Sequence, residues 1–79
     1  MRYVSWSCEI ELKDLENGFL IEVESIKGIK TYIAKDNEEV KKVIKDVCNE
    51  HKWNYNKFIA IISCFNIEYT IEDLRGLRE

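Results

Sequence analysis

The sequence predicts a small α+β protein, in which an antiparallel sheet of three to four strands carries helices on one face. Three observations support this fold class: apolar and polar residues alternate near the start, an Asn-Gly pair separates two such stretches, and helical spacing begins after Asp36. The chain has 79 residues, of which 46% are apolar and 34% are charged. This balance is typical of one globular domain, here residues 1–79, with the element order β-β-β-α-β-α.

Residues 4–12 alternate strictly, which indicates a strand with one buried and one exposed face. The side expected to face the core carries Val4, Trp6, Cys8, Ile10 and Leu12. The pair Asn17-Gly18 favours a two-residue type I′ turn, because both positions tolerate a positive φ. A second strand follows from Phe19 to Glu24, and Gly28 marks the turn into a third strand over 29–34.

A helix is predicted to begin after Asp36, because Glu39 three residues later completes a capping box. The helix is expected to end near Trp53. Apolar residues follow at helical spacing: Val40, Val43, Ile44 and Val47. The outward face carries Lys41, Lys42, Lys45 and Lys52. We interpret this face as solvated, with a phosphate-binding surface as the alternative.

For the last third of the chain, the sequence leaves the secondary structure open. Residues 58–65 are rich in β-branched side chains, which favours a strand buried on both faces. The spacing of Phe58, Ile61, Ile62 and Phe65 also fits a helical stripe. We favour the strand, and in that case the uncovered sheet face would need a second subunit. Residues 70–78 are predicted to form a short helix capped by Thr70.

The hairpin register gathers four glutamates on the exposed face of the sheet. A turn at Asn17-Gly18 places Leu12 opposite Val23 and Glu11 opposite Glu24. The exposed face then carries Glu9, Glu11, Glu22 and Glu24. Like charges that lie directly opposite each other destabilise a sheet by about 0.2–1 kcal/mol. The cluster is either a solvated face that opposes aggregation or a docking stripe for a basic protein.

Two aromatic residues where the first helix ends, Trp53 and Tyr55, are further candidates for partner binding. They alternate with polar residues and are followed by Lys57, and aromatic residues beside a cation are typical of interface hot spots. The alternative is that both rings close one end of the core.

The sequence offers no catalytic set. His51 is the one histidine, and no Gly-rich phosphate loop is present. The three cysteines, Cys8, Cys48 and Cys64, are too few and too far apart for a disulfide framework, and we expect reduced core thiols. A Cys₃His zinc site with His51 is the weaker alternative. We therefore expect a protein that is not an enzyme and that needs no cofactor or metal.

Charge and length limit the kind of partner. A net charge of −3 weighs against a dedicated nucleic-acid binder. No signal-peptide pattern follows Met1 and no apolar run is long enough to span a membrane, so a cytoplasmic location without membrane contact is expected. A domain of this size has marginal stability, which leaves homo-oligomerisation open.

Part of the chain resembles a known family. The segment from Gly18 to Gly28, followed by Thr31 and the acidic stretch Asp36 to Val40, is similar to the HicB-like antitoxin domain over residues 3–48. The resemblance implies a small β-β-β-α-β fold. It also implies that the protein docks on a toxin and neutralises it, and that this toxin resembles a double-stranded-RNA-binding domain.

These observations together predict a non-enzymatic module that binds a macromolecular partner and inhibits or modulates it. Two settings fit: an antitoxin-like role, or a phage or mobile-element inhibitor of a host defence system such as an anti-CRISPR. The expected partner is a protein that is basic or itself binds nucleic acid. The alternative is a nucleic-acid-binding domain that uses the lysine-rich helix face.

Overall fold

Four antiparallel strands and two helices make up the computed structural model, which describes all residues from Met1 to Glu79. The strands are β1 (Arg2–Val4), β2 (Cys8–Leu15), β3 (Gly18–Ser25) and β4 (Gly28–Ala34), and they lie in the sheet in chain order. The helices are α1 (Asn37–His51) and α2 (Tyr55–Cys64), followed by a single 3₁₀ turn, Ile71–Leu74. The predicted α+β class with helices on one face is confirmed, but the element order is β-β-β-β-α-α.

The strand predicted over residues 4–12 is wrong in extent, because the chain turns back on itself at Ser5–Ser7. Tyr3 lies opposite Ile10, and the backbone N–H of Ser5 donates to the carbonyl of Cys8 at 2.9 Å. Two serines around Trp6 are the local signal for this turn, since serine hydroxyls compete for backbone hydrogen bonds. The alternation of apolar and polar residues continues across the turn, so this pattern alone did not indicate the turn.

The register of the β2–β3 hairpin also differs from the prediction by two residues. Leu15 lies opposite Gly18, so the two turn residues are Glu16 and Asn17, and neither has a positive φ. The turn is therefore not of type I′. Gly18 is needed for a different reason: a Cβ there would lie 2.4 Å from the carbonyl oxygen of Ala34, where β4 ends. A shift of two residues keeps every side chain on its predicted face.

Asp36 caps the start of α1 as predicted, but Glu39 bonds the residue before the cap and so does not complete the predicted capping box. The Asp36 carboxylate accepts the backbone N–H of Glu39 at 2.9 Å, and the Glu39 carboxylate accepts the N–H of Lys35 at 2.8 Å. The helix ends at Lys52, whose φ of 59° is left-handed. The predicted end near Trp53 is confirmed.

The strand favoured for residues 58–65 is wrong, because this segment is helical. Asn54 caps α2 by accepting the N–H of Lys57 at 3.3 Å. Phe58, Ile61 and Ile62 are fully buried, whereas the side chains between and after them, such as Ala60 and Ser63, are exposed. A ten-residue helix is marginal on its own, so α2 depends on burial of this stripe, worth roughly 1.5–3 kcal/mol per side chain. A strand at residues 58–65 with two apolar faces would have needed a second subunit to cover it. The helix buries its apolar stripe within the chain, so that requirement disappears.

The predicted helix over residues 70–78 is reduced to the 3₁₀ turn. The Asp73 carboxylate accepts the backbone N–H of Thr70 at 2.9 Å, which completes the predicted cap. Beyond this turn, the N–H of Tyr55 donates to the carbonyl of Arg78 at 2.7 Å, so the chain end is tied to the start of α2.

The core lies between the sheet and the two helices. The sheet contributes Cys8, Ile10, Leu12, Ile21, Val23 and Ala34, and the helical side contributes Val40, Ile44, Val47, Cys48, Phe58, Ile61, Ile62, Phe65 and Ile67. The opposite face of the sheet carries no element of the chain. None of the helices has both the length and the apolar character needed to cross a membrane.

Candidate protein-binding surface

The uncovered face of the sheet has a cluster of carboxylates at its centre. Strand pairing places Glu9 directly opposite Glu24, and Glu11 directly opposite Glu22. The predicted pairing of Glu11 with Glu24 is therefore wrong, but the structure does bring all four glutamates together. We call this set the acidic stripe. Glutamates two residues apart on one strand lie about 7 Å apart and neighbouring strands about 4.8 Å apart, so the four carboxylates occupy a small rectangle.

Basic side chains neutralise only one half of the acidic stripe. Arg2 lies 3.5 Å from the Glu9 carboxylate and 3.6 Å from that of Glu11, and Lys13 lies 3.8 Å from Glu11. Glu22 and Glu24 form no ion pair. The role of Arg2 was missed in the sequence, because it depends on the turn that folds β1 against β2. The β3 half of the stripe therefore keeps its charge.

Apolar side chains border the acidic stripe on both sides. Val4 on β1 lies opposite Glu9, and Ile29 on β4 lies opposite Glu24. Both side chains are largely exposed, as is Ile33 further along β4. An acidic centre with an apolar border is an arrangement that a protein partner can bury, because the apolar area supplies affinity and the charges supply orientation.

Trp6 adds an aromatic side chain at one end of this surface. It was expected to face the core, and that expectation is wrong: it lies in the β1–β2 turn with its side chain fully exposed, at 104% of the reference area. An open groove of about 300 Å³ lies beside it, and its lining includes Val4, Glu9 and Glu24. Exposed tryptophans next to such grooves are typical interface anchors. Sequence reasoning missed this residue as a candidate.

The predicted anchors Trp53 and Tyr55 lie elsewhere, at the junction of α1 and α2. Trp53 is half-buried and stacks on His51 with ring centroids 4.4 Å apart, and the ammonium of Lys57 lies 4.6 Å from its ring centre. Tyr55 is half-buried beside Arg78. Both rings lie on the helical side of the sheet and not on the face that carries the acidic stripe.

The side chain of His51 is engaged on both ring nitrogens. Nδ1 lies 2.9 Å from the carbonyl oxygen of Val47, so it donates its proton there. Nε2 lies 2.8 Å from the hydroxyl of Ser25, within hydrogen-bond distance. The backbone N–H of Lys27 also donates to the same hydroxyl, at 3.2 Å. This network ties the β3–β4 turn to the last turn of α1.

The cysteines do not meet around His51 as the zinc alternative required. No three His, Cys, Asp or Glu side chains lie close enough together to hold a metal ion. Cys8 and Cys48 are buried and Cys64 is exposed, with its thiol 3.3 Å from the carbonyl oxygen of Arg2. Burial raises the pKa of the Cys48 thiol to about 12, which keeps it protonated and unreactive.

The lysine-rich face of α1 is less basic than the sequence suggests. Lys41 is buried, with its ammonium 2.9 Å from Asp73 and 3.0 Å from Glu38. The hydrogen bond to Asp73 is the main reason why the pKa of Lys41 is raised. A cleft of about 210 Å³ at this face is lined by Glu38, Glu72 and Asp73 as well as by lysines. An incoming phosphate would meet these carboxylates too.

No family model matches this chain, and no curated protein or solved structure matches it significantly. The similarity to the HicB-like antitoxin domain stays an expectation from the sequence. The fold implied by that family has a strand after the first helix, where this chain has α2.

Proposed function

We propose that this chain is a non-enzymatic protein-binding module that docks on a basic surface of its partner through the acidic stripe, and thereby inhibits or modulates that partner. The observation that carries the proposal is the pair of glutamate rows across β2 and β3, of which Glu22 and Glu24 have no counter-charge in the chain. A basic partner supplies the missing counter-charges.

The position of the acidic stripe in the sheet argues against a purely protective role. Charges that prevent aggregation are most useful on edge strands, where unpaired backbone groups would otherwise recruit another chain. In this sheet the glutamates lie on β2 and β3, the two inner strands. Opposed glutamates there destabilise the fold by about 0.2–1 kcal/mol per pair without covering any edge. A binding role explains why these positions are acidic.

The partner that best fits is a protein whose basic surface normally binds phosphates. Carboxylates in a compact row offer such a surface an attraction similar to that of a nucleic-acid backbone. An antitoxin-like role against a toxin that binds RNA is consistent with this chemistry. So is a phage or mobile-element inhibitor of a defence nuclease, acting in the cytoplasm. The nucleic-acid-binding alternative is weakened by the acidic residues around Lys41 on the lysine face.

The test is a comparative pull-down from the native host, with nuclease added to half of each sample. Three tagged chains are compared: the unaltered chain, the double variant Glu22→Gln and Glu24→Gln, and a control, Glu68→Gln and Glu79→Gln. The control makes the same change in net charge at exposed positions without ion pairs. Added salt should release the captured partner, because exposed charge pairs are screened.

The proposal predicts that one protein is captured in stoichiometric amount by the unaltered chain and by the control variant, and that nuclease does not remove it. The Glu22→Gln and Glu24→Gln variant, called the stripe variant, should not capture this protein. Equal capture by the stripe variant would refute docking through the acidic stripe. Loss of all specific capture on nuclease treatment would instead support the nucleic-acid-binding alternative.

A further inference from the structure

The two edges of the sheet differ in how they are covered. The β1 edge is only three residues long, and the carbonyl oxygen of Arg2 lies 3.3 Å from the thiol of Cys64 in α2. The β4 edge is seven residues long. No backbone hydrogen bond of residues 28–34 is formed outside the pairing with β3. Alternate N–H and C=O groups of β4 therefore point outward without a partner, which is a template for another strand.

Apolar side chains accompany this open edge. Ile29 and Ile33 lie on the uncovered face, with 63% and 67% of their surface exposed. They flank Thr31, which is the central residue of β4. A 79-residue domain has a small core, so these side chains are a large exposed apolar area for its size.

We propose that the chain pairs with a second copy of itself along β4, so that two four-stranded sheets join into one eight-stranded sheet. The dimer axis is perpendicular to the sheet, because this keeps the helices of both copies on the same side. Such an axis must place one residue of β4 directly opposite itself, since each side chain has to meet one on its own face. This inference is independent of what the acidic stripe binds.

The side chains of β4 select one register. Centred on Thr31, the pairing places Ile29 of each copy opposite Ile33 of the other, on the uncovered face. On the helical face it places Lys30 opposite Tyr32, a ring on which a lysine stem and ammonium can pack. Centring on Lys30 would place Ile33 opposite Lys27, and centring on Tyr32 would place Ile29 opposite Lys35. Of these three registers, only the one centred on Thr31 pairs isoleucine with isoleucine.

The charges near the ends of β4 predict how salt affects this dimer. In the Thr31 register, Lys27 of one copy approaches Lys35 of the other, and both are exposed. Lys30 is already neutralised by Glu50, 2.6 Å away. The remaining repulsion between lysines is screened by salt, so the dimer should tighten as salt is added. Binding of a basic partner to the acidic stripe should weaken under the same change.

The test is sedimentation velocity of the full chain over a range of concentrations. We expect a species of twice the 9.4 kDa chain mass that gains population with concentration and with salt. Ile29→Lys and Ile33→Glu, made singly, should each weaken dimerisation roughly ten- to hundredfold, because each places an unpaired charge against isoleucine. The double variant should recover pairing, because the two introduced charges then lie opposite each other.

Ile71→Lys is the matched control. Ile71 is 83% exposed on the 3₁₀ turn, away from β4, so this substitution should leave the dimer intact. Circular dichroism of every variant checks that the fold is kept. A mass of one chain at all concentrations would refute the pairing, as would a dimer that neither single variant weakens. Failure of the double variant to recover would refute the Thr31 register.

Discussion

Replacing Glu22 and Glu24 by glutamine should stabilise the fold, although it should abolish docking through the acidic stripe. Each of the two lies directly opposite another glutamate and has no ion pair. Relief of one like-charge pair is worth about 0.2–1 kcal/mol, so the double variant should gain about 0.4–2 kcal/mol in unfolding free energy at low salt. For a domain of this size, a gain of 1 kcal/mol raises Tm by about 4–8 °C.

The partners of these residues on β2 provide an internal comparison. Replacing Glu9 and Glu11 by glutamine relieves the same repulsion but removes the ion pairs with Arg2, so the net gain should be smaller. Urea unfolding followed by tryptophan fluorescence measures both variants, and about 1 M salt should reduce the gain. A stripe variant at or below the stability of the unaltered chain in low salt would refute the repulsion argument.

Three further outcomes test the fold. Gly18→Ala should lower the unfolding free energy by more than about 1 kcal/mol in urea titrations, because its Cβ would meet the carbonyl of Ala34. Asp73→Asn should destabilise the protein at neutral pH. The hydrogen bond from Lys41 lowers the pKa of Asp73 below its ordinary 3.8, so the ionised carboxylate stabilises the fold above this value. That stabilisation is lost as the pH falls through the folded-state pKa. Urea titrations should therefore separate the two proteins at neutral pH and converge once the pH falls below the folded-state pKa of Asp73. Cys48 should resist iodoacetamide in the folded protein and react once urea unfolds it, as mass spectrometry of the alkylated peptides would show.

The structure brings the four predicted glutamates together but places the two predicted aromatic residues elsewhere, and the reason lies in how each position was inferred. The acidic stripe depends only on the alternation of side chains along two strands, which survived a register error of two residues. Trp6, which was not among the predicted site residues, was expected in the core because the alternation of apolar and polar residues continues through the turn. Trp53 and Tyr55 were correctly placed at the end of α1, but their distance from the stripe depends on how α1 and α2 pack.

Local signals in the sequence determined the α+β class, the cap of α1 at Asp36 and the face that each glutamate occupies. These features follow from spacing within one strand or one helix. The tertiary structure alone decided that residues 58–65 form a helix, because a short apolar run fits either period until its neighbours show which side is buried. It also decided that β4 is an open edge and that Glu9 and Glu11 share Arg2, since both depend on contacts between segments distant in the chain.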